Sequence, residues 1–155
     1  KKHKRLKFVF GVSSFVPKAQ TPYQWRGRDR QCQKKLEFIR KNLAKLGSKL
    51  AAPTSTVPQQ PDYAKNEHRS IKPEYFVAVG ICSHLGCSPS DKFAAGPQPS
   101  LPDDWTGGFL CPCHGSTFDL AGRVFKNKPA PDNLEVPPHM YLSDSKLLIG
   151  EDKKA

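Results

Sequence analysis

Two short segments of the chain concentrate its cysteine and histidine residues. The first reads Cys-Ser-His-Leu-Gly-Cys over residues 82–87, and the second reads Cys-Pro-Cys-His-Gly-Ser over residues 111–116. Thiolates and imidazoles bind transition metals, and paired thiols form disulfides. Each segment follows a short apolar run, so its side chains are expected in a loop at the end of a strand, where core packing explains them poorly. The pattern indicates metal ligation, disulfide formation, or both.

Zinc is one metal that such side chains hold. Structural zinc sites commonly space their ligands as C-x2-4-C and H-x3-5-H. The spacings here, Cys82-x-His84 and Cys111-x2-His114, fit that pattern poorly. A structural zinc-binding domain therefore stays open as an alternative of a different class, and metal analysis distinguishes it.

The combination of C-x-H-x-G-C with C-P-C-H-G-S resembles the two cluster-binding loops of Rieske iron-sulfur proteins. In that family two thiolates hold one iron of a [2Fe-2S] cluster and two imidazoles hold the other. Carried over by motif position, the resemblance implies that Cys82 and Cys111 ligate one iron. It implies that His84 and His114 ligate the other.

The remaining cysteines of the two segments point to one branch of the family. The resemblance implies a disulfide between Cys87 and Cys113, which the quinol-oxidising respiratory subunits have and Rieske ferredoxins generally lack. Residues 67–74 and 118–137 are also similar to the iron-sulfur subunits of quinol:cytochrome c reductase, most of all to bacterial forms. A soluble Rieske ferredoxin that feeds an oxygenase is the alternative within electron transfer, and the disulfide pair argues against it.

The resemblance implies one-electron transfer from a ubiquinol-like quinol, with coupled proton release, to a c-type cytochrome. The chain would be the catalytic subunit of quinol:cytochrome c reductase, inactive in isolation, with cytochrome b and c-type cytochrome subunits as partners in a membrane-associated complex. Replacing two thiolates by neutral imidazoles raises the potential to roughly −150 to +300 mV, where a quinol can be oxidised. His84 and His114 are therefore the expected catalytic residues, and His114 is the one implied to hydrogen-bond the quinol.

Three further residues are expected to shape the site. Ser116 matches the position whose hydroxyl contacts a bridging sulfide, and Leu85 matches the residue that shields the cluster and forms the quinol-docking surface. Phe118 stands where many members have a tyrosine that donates to a cysteine sulfur. Because such a hydrogen bond stabilises the reduced cluster, we expect a lower potential than in a tyrosine-bearing relative.

The elements around these segments have a mainly β, antiparallel pattern. Short β-branched and aromatic runs separated by turns are expected as strands at residues 75–81, 109–110, 116–120, 123–125, 134–136, 140–142 and 146–149. Residues 88–106, which contain four prolines, are expected to be a surface loop. The resemblance implies a Rieske-type antiparallel β sandwich with a small cluster-binding subdomain at about residues 80–131 and one helix-loop insertion.

The N-terminal part of the chain carries a helix signal but no strand pattern. Apolar residues recur every three or four positions at Leu36, Ile39, Leu43, Leu46 and Leu50, which predicts a helix over residues 31–50 that packs on the sheet. Cys32 falls in this helix and is expected to have no ligand role. Residues 1–30 have no sustained period and are expected to be irregular, so the Rieske domain is assigned to residues 31–155.

The charge of the chain is unevenly distributed along its 155 residues. Residues 1–76 hold 18 Lys and Arg against 5 Asp and Glu, whereas residues 77–155 hold 7 against 9. The basic residues are not interleaved with the aromatic or glycine positions of a nucleic-acid module, so nucleic-acid binding is not expected.

No apolar run reaches the roughly 18–20 residues of a membrane span. The family resemblance extends upstream only to about residue 50, so we expect a divergent or truncated start. The resemblance implies a complex in the inner (plasma) membrane. Because the implied disulfide requires an oxidising compartment, the cluster domain is expected to face the periplasm, or the intermembrane space of an organelle.

Overall fold

The computed structural model of the protein describes residues 8–11, 45–55, 57–73, 75–144 and 146–152. Within these ranges the regular structure consists of short β-strands and two 3-10 turns, at Gly47–Lys49 and Asp62–Ala64. The strands are β1 (Phe8–Gly11), β2 (Phe76–Val79), β3 (Ser90–Lys92), β4 (Gly108–Leu110), β5 (Thr117–Phe118), β6 (His139–Ser143) and β7 (Lys146–Ile149). The prediction of a mainly β fold is confirmed.

The strands pair antiparallel in small sheets. β1 pairs with β2, β3 to β5 form a three-stranded sheet in the order β3-β4-β5, and β6 pairs with β7. The antiparallel prediction is confirmed by every pairing among the described strands. β2 ends shortly before the first Cys/His segment, and β4 and β5 flank the second. Both segments therefore leave the sheets as loops at strand ends.

The hydrophobic core extends from β2 into both Cys/His segments. All four residues of β2 are buried, which explains its uninterrupted apolar sequence. The buried core cluster consists of Ala64, Phe76, Ala78, Cys82, Phe109, Cys111, Phe118, Val124, Ala130, Leu134 and Val136. Because two candidate ligands belong to this cluster, core packing fixes the base of each loop.

β1 lies in the segment that was expected to be irregular. It pairs with β2 in a register that sets Phe8 opposite Val79 and Gly11 opposite Phe76. The expectation of irregular backbone over residues 1–30 is wrong for these four residues, and the rest of that range lies outside the described residues. Four residues are too few to show a period, and the pairing partner is distant in sequence, so local reasoning had no signal for this strand.

The predicted helix over residues 31–50 is described only at its end, because residues 31–44 lie outside the described ranges. Leu46 has helical backbone, Gly47–Lys49 form a 3-10 turn, and Leu50 is extended. The helical segment therefore stops before the predicted boundary. Leu46 and Leu50 are buried, as predicted for the apolar stripe. In the described part of the chain no helix is long and apolar enough to cross a membrane.

Three segments differ from their predicted conformation. The expected loop at residues 88–106 contains β3, a strand with mostly exposed side chains that pairs with β4 through its backbone. Residues 123–125, expected to be a strand, form only isolated bridges. Residues 134–136 likewise form single hydrogen bonds to different partners, such as the N–H of Val136 to the carbonyl of Gln59. Apolar alternation predicted extended chain correctly here, but it could not predict whether a partner strand was available.

Candidate metal-cluster site

Two loops with the same backbone geometry carry the candidate ligands. Loop A comprises residues 82–87 and loop B comprises residues 111–116. In each, the N–H of the first residue donates to the carbonyl of the last, at 2.8 Å in loop A and 2.7 Å in loop B. The N–H of the fifth residue donates back to the carbonyl of the first. That fifth residue is a glycine with positive φ, +83° at Gly86 and +74° at Gly115, which a side chain would strain.

The thiols of Cys82 and Cys111 lie buried at the bases of the two loops and are not in a disulfide. They lie within hydrogen-bonding reach of each other. Burial raises the pKa of the Cys82 thiol, while hydrogen bonds from the His84 N–H and the Ser116 side chain lower it. Two adjacent thiolate charges are costly to bury in an apolar environment without a bound cation, so this pair suits a metal.

The imidazoles of His84 and His114 lie together closer to the loop tips. Their ring centroids are 4.7 Å apart and the rings are nearly perpendicular, at 88°. His84 is half-buried and His114 is exposed. The Nδ1 atom of His84 is buried and has no hydrogen-bond partner among the described residues. A buried imidazole nitrogen without a partner is costly unless it binds a metal or solvent.

The predicted disulfide between Cys87 and Cys113 is formed, with the two Cα atoms 6.5 Å apart. It joins the end of loop A to the middle of loop B. The sulfur atoms of Cys87, Cys111 and Cys113 lie within 4.8 Å of one another. Because two of these sulfurs are covalently paired, only Cys111 of this group retains a thiolate for a metal. The trio therefore places the disulfide beside the candidate ligand Cys111 and does not form a second metal site.

A third segment, residues 129–132, is held against both loops by serine hydroxyls. Ser83 donates to the carbonyl of Asp132 at 2.6 Å and accepts from its N–H at 3.3 Å. Ser116 accepts from the N–H of Ala130 at 2.9 Å. Since this bond uses only an acceptor site of Ser116, its O–H remains able to donate toward the Cys82 sulfur. Each loop thus contributes one hydroxyl that fixes the proline-containing segment.

Leu85 occupies the tip of loop A, and 70% of its surface is exposed. Its neighbour Gly86 is exposed, and so is His114 in loop B. An exposed large apolar side chain beside an exposed imidazole makes a small, partly apolar contact surface. The position of Leu85 is consistent with the predicted docking role, which its burial in the core would have contradicted.

Phe118 is fully buried in β5 and lies opposite Phe109 in the β4–β5 register. Its ring carries no hydroxyl, so it makes no hydrogen bond of the kind predicted for a tyrosine at this position. The core cluster contains Phe118 together with Cys82 and Cys111. A hydroxyl added here would enter the apolar environment of the thiols.

The donor set fits a cluster with two chemically different irons. Thiol lies beside thiol and imidazole lies beside imidazole, and a Rieske cluster binds one iron through each kind of ligand. The structure therefore brings Cys82 to Cys111 and His84 to His114, with the disulfide beside Cys111 and Ser116 beside Cys82. That these four residues ligate a cluster stays a prediction. Sequence reasoning missed the role of Ser83 in holding residues 129–132. Its hydroxyl lies between the predicted ligands Cys82 and His84, and that position was an available signal. Cys32 lies outside the described residues, and the expectation that it has no ligand role stays a prediction.

Comparison with known proteins gives concordant matches. The profile of the Rieske [2Fe-2S] domain matches residues 56–138. The chain is 54% identical over 142 residues to the ubiquinol-cytochrome c reductase iron-sulfur subunit of Allochromatium vinosum, covering 92% of this chain and 68% of that protein. It is 39% identical to the mitochondrial cytochrome b-c1 complex subunit Rieske of Solanum tuberosum, covering 90% of this chain and 45% of the relative. A similar subunit of Zea mays is 36% identical, with 90% and 44% covered.

These matches correct one expectation about the N-terminal part of the chain. The resemblance was expected to begin near residue 50, but a match over 142 of 155 residues must reach far upstream of that point. The chain spans about two thirds of the bacterial relative and less than half of the plant relatives. The similarity therefore includes part of the segment that had shown no motif of its own.

Proposed function

This chain belongs to the Rieske [2Fe-2S] family, among the iron-sulfur subunits of ubiquinol-cytochrome c reductase, and on that premise we propose that it transfers single electrons from quinol to a c-type cytochrome. It acts as the catalytic iron-sulfur subunit and does not turn over alone. The observation that carries this proposal is the segregation of the donor set, with two buried thiols adjacent to each other and two imidazoles in contact. The disulfide beside them supports the quinol-oxidising branch over a ferredoxin.

The residues that would hold the cluster are Cys82, Cys111, His84 and His114, and the bound cluster would supply a one-electron couple. Cys82 and Cys111 are buried, so water is kept from the thiolate end of the site. His114, exposed at the tip, is the residue that meets the quinol hydroxyl and accepts its proton on the ring nitrogen that does not ligate the cluster. Leu85 provides an apolar contact for the quinol ring at the same tip. The Ser116 hydroxyl donates to the sulfur of Cys82, and this hydrogen bond favours the reduced state of the cluster.

Partners and location follow from this chemistry. A quinol remains in the lipid phase, so the tip of the chain must reach a membrane-embedded subunit, which we assign to cytochrome b. The electron leaves to a c-type cytochrome subunit of the same membrane-associated complex. Because the Cys87–Cys113 disulfide requires an oxidising compartment, the cluster domain faces the periplasm, or the intermembrane space in an organelle.

Metal and sulfide analysis of the full chain, purified without oxygen, tests the cluster assignment. We expect equimolar iron and acid-labile sulfide, with a reduced-state electron paramagnetic resonance (EPR) signal that is lost in Cys82→Ser and His84→Ala. Cys32→Ser is the matched control, because it removes a cysteine that is predicted to have no ligand role and should retain the signal. Zinc without iron or sulfide would overturn the assignment and favour a structural zinc domain.

Assembly into the reductase tests the quinol-oxidising role separately. In membranes that contain cytochrome b and c-type cytochrome, the wild-type chain should restore quinol-dependent cytochrome c reduction. Leu85→Ala should weaken that activity while the EPR signal is retained. If the chain instead stayed outside the membrane complex and reduced an oxygenase, the ferredoxin alternative would replace this proposal.

A further inference from the structure

Three charged side chains of the described residues are buried away from the loop tips. Arg69, Asp119 and Arg123 are 2%, 0% and 5% exposed. Arginine and aspartate are almost never fully buried unless they are paired. We call these three residues the charged triad, and neither ligand binding nor quinol contact uses them.

Asp119 pairs with Arg123 and organises a tight turn. Its Oδ2 atom accepts from Nε of Arg123 at 2.8 Å. Its Oδ1 atom accepts from the backbone N–H of Ala121 at 2.9 Å and from that of Arg123 at 2.8 Å. A carboxylate with three donors is well satisfied in its ionised form. One arginine of the triad is therefore matched by the single carboxylate.

Arg69 is solvated by backbone carbonyls rather than by a carboxylate. Its guanidinium donates to the carbonyls of Ala121 at 2.9 Å, Gly122 at 3.2 Å and Leu134 at 2.7 Å. Its Nε donates to the side-chain oxygen of Gln60. All of these acceptors are neutral, so with Asp119 ionised the triad carries one net positive charge.

The buried environment of the triad screens its charges only weakly, so each charge acts over a longer distance. Burial lowers the pKa of Arg69 to about 10, with Asp119 opposing that effect and Arg123 adding to it. Burial raises the pKa of Asp119, and Arg123 lowers it. Because all three side chains are buried, their charges interact through a medium with little water. The Nη2 atom of Arg123 also lacks a hydrogen-bond partner within the described ranges.

The Asp119 end of the triad lies close to loop B. Asp119 directly follows β5 and is three residues beyond Ser116, so their Cα atoms are at most about 11 Å apart. Arg69 is bound to the turn that follows Asp119, through the carbonyls of Ala121 and Gly122. Phe118 and Val124, both fully buried, pair across this part of the structure. A charge separated from the cluster by apolar packing is screened far less than a surface charge.

We propose that the charged triad is an electrostatic element that raises the reduction potential of the cluster held by loops A and B. Reduction adds one electron, and hence one negative charge, and a fixed positive charge nearby favours that state. Burying the Asp119–Arg123 ion pair alone would cost less free energy than burying that pair together with the unmatched cation of Arg69. Arg69 also adopts a backbone φ of +50°, which is unfavourable for a side chain of this size. The inference rests on the proposed function.

The test compares variants with opposite charge changes in the full, cluster-loaded chain, by EPR-monitored redox titration. Arg69→Met removes the unmatched cation and should lower the midpoint potential. Asp119→Asn removes the anion and should raise it. Arg69→Lys keeps the charge but loses the branched set of hydrogen bonds, so it should be less stable to heat at nearly unchanged potential. At an effective dielectric constant near 20, each charge change should alter the reduced-to-oxidised ratio about tenfold, or about 59 mV for a one-electron couple.

The direction in which the midpoint potential shifts distinguishes an effect of charge from an effect of structural damage. Arg69→Met and Asp119→Asn both disrupt the same turn, so a purely structural effect would move both potentials in the same direction and overturn the proposal. Asp62→Asn, an exposed carboxylate, is the control and should leave the potential unchanged. If Asp119→Asn does not fold, equal potentials for Arg69→Met and Arg69→Lys would also overturn it. Absence of any cluster in the wild-type chain would contradict the proposed function instead.

Discussion

At the scale of single residues, exposure divides the site into two chemical parts. The thiols of Cys82 and Cys111 are buried in the core, where thiolate charge is stabilised only by a bound cation and a few hydrogen bonds. His114 and Leu85 are exposed at the tip, where a partner can contact them. On the proposed function, the buried part holds the electron and the exposed part accepts the proton, so single substitutions should affect one part without the other.

Phe118→Tyr should raise the midpoint potential. The new hydroxyl enters the core cluster that contains both free thiols, and a hydrogen bond to sulfur stabilises the reduced state. A bond of about 1 kcal/mol would change the reduced-to-oxidised ratio about fivefold. Phe125→Tyr is the control, because Phe125 packs against Trp105 and should leave the potential unchanged. Redox titration that shows no upward shift in Phe118→Tyr would contradict the role assigned to this position.

Ser83→Ala should destabilise the site without removing a ligand. The variant loses both hydrogen bonds to Asp132, so the segment of residues 129–132 loses its attachment to loop A. We expect a loss of about 1–2 kcal/mol in the free energy of unfolding and faster loss of the cluster absorbance in denaturant. Ser90→Ala, which loses a single bond to Leu110 in an exposed strand, should cost less and leave cluster retention unchanged. Equal effects of the two variants would argue against the attachment.

At the scale of elements, the loops depend on how closely β4 approaches β5. Loop B begins and ends in this strand pair, so the positions of Cys111 and Ser116 follow its spacing. A Cβ atom on Gly108 would lie 2.0 Å from the carbonyl oxygen of Phe118. Real Cβ atoms do not approach a backbone oxygen that closely, so only glycine permits this pairing.

Gly108→Ala should therefore separate β4 from β5 and displace loop B. We expect a cost of about 3 kcal/mol or more in the free energy of unfolding, with a reduced iron content per chain. Gly96→Ala is the control: Gly96 also has positive φ, at +96°, but a Cβ there meets nothing within 4 Å. The control should lose only the backbone preference, about 1 kcal/mol, and keep its iron. Denaturant unfolding and iron analysis measure both, and full cluster occupancy in Gly108→Ala would contradict the prediction.

At the scale of the whole molecule, the site was more predictable from sequence than the fold around it. The ligand types and the spacing of residues 82–87 and 111–116 are local, because each loop closes on itself with its own backbone bonds. The pairing of β1 with β2 joins distant parts of the chain and left no local signal. Arg69 resembled any surface cation in the sequence, since its burial is decided by carbonyls from two other segments. Tertiary partners, rather than residue type, therefore decided the features that sequence reasoning missed.

The disulfide provides the last test at this scale, because it links two loops and constrains the entire unfolded chain. Cys87 and Cys113 are separated by 26 residues, and closing a loop of that length is worth about 3.5 kcal/mol. The double variant Cys87→Ser with Cys113→Ser should lose about that much in the free energy of unfolding.

The single variants should retain less cluster than the double variant, although each changes only one residue. Each leaves one free thiol whose sulfur lies within 4.8 Å of that of Cys111, where it can form a disulfide with this proposed ligand under oxidising conditions. Iron content and EPR amplitude after aerobic purification would measure this order. Adding a reductant throughout purification should reduce the difference between single and double variants, because it prevents the competing disulfide. Higher retention in the single variants would show that the remaining thiol does not reach Cys111.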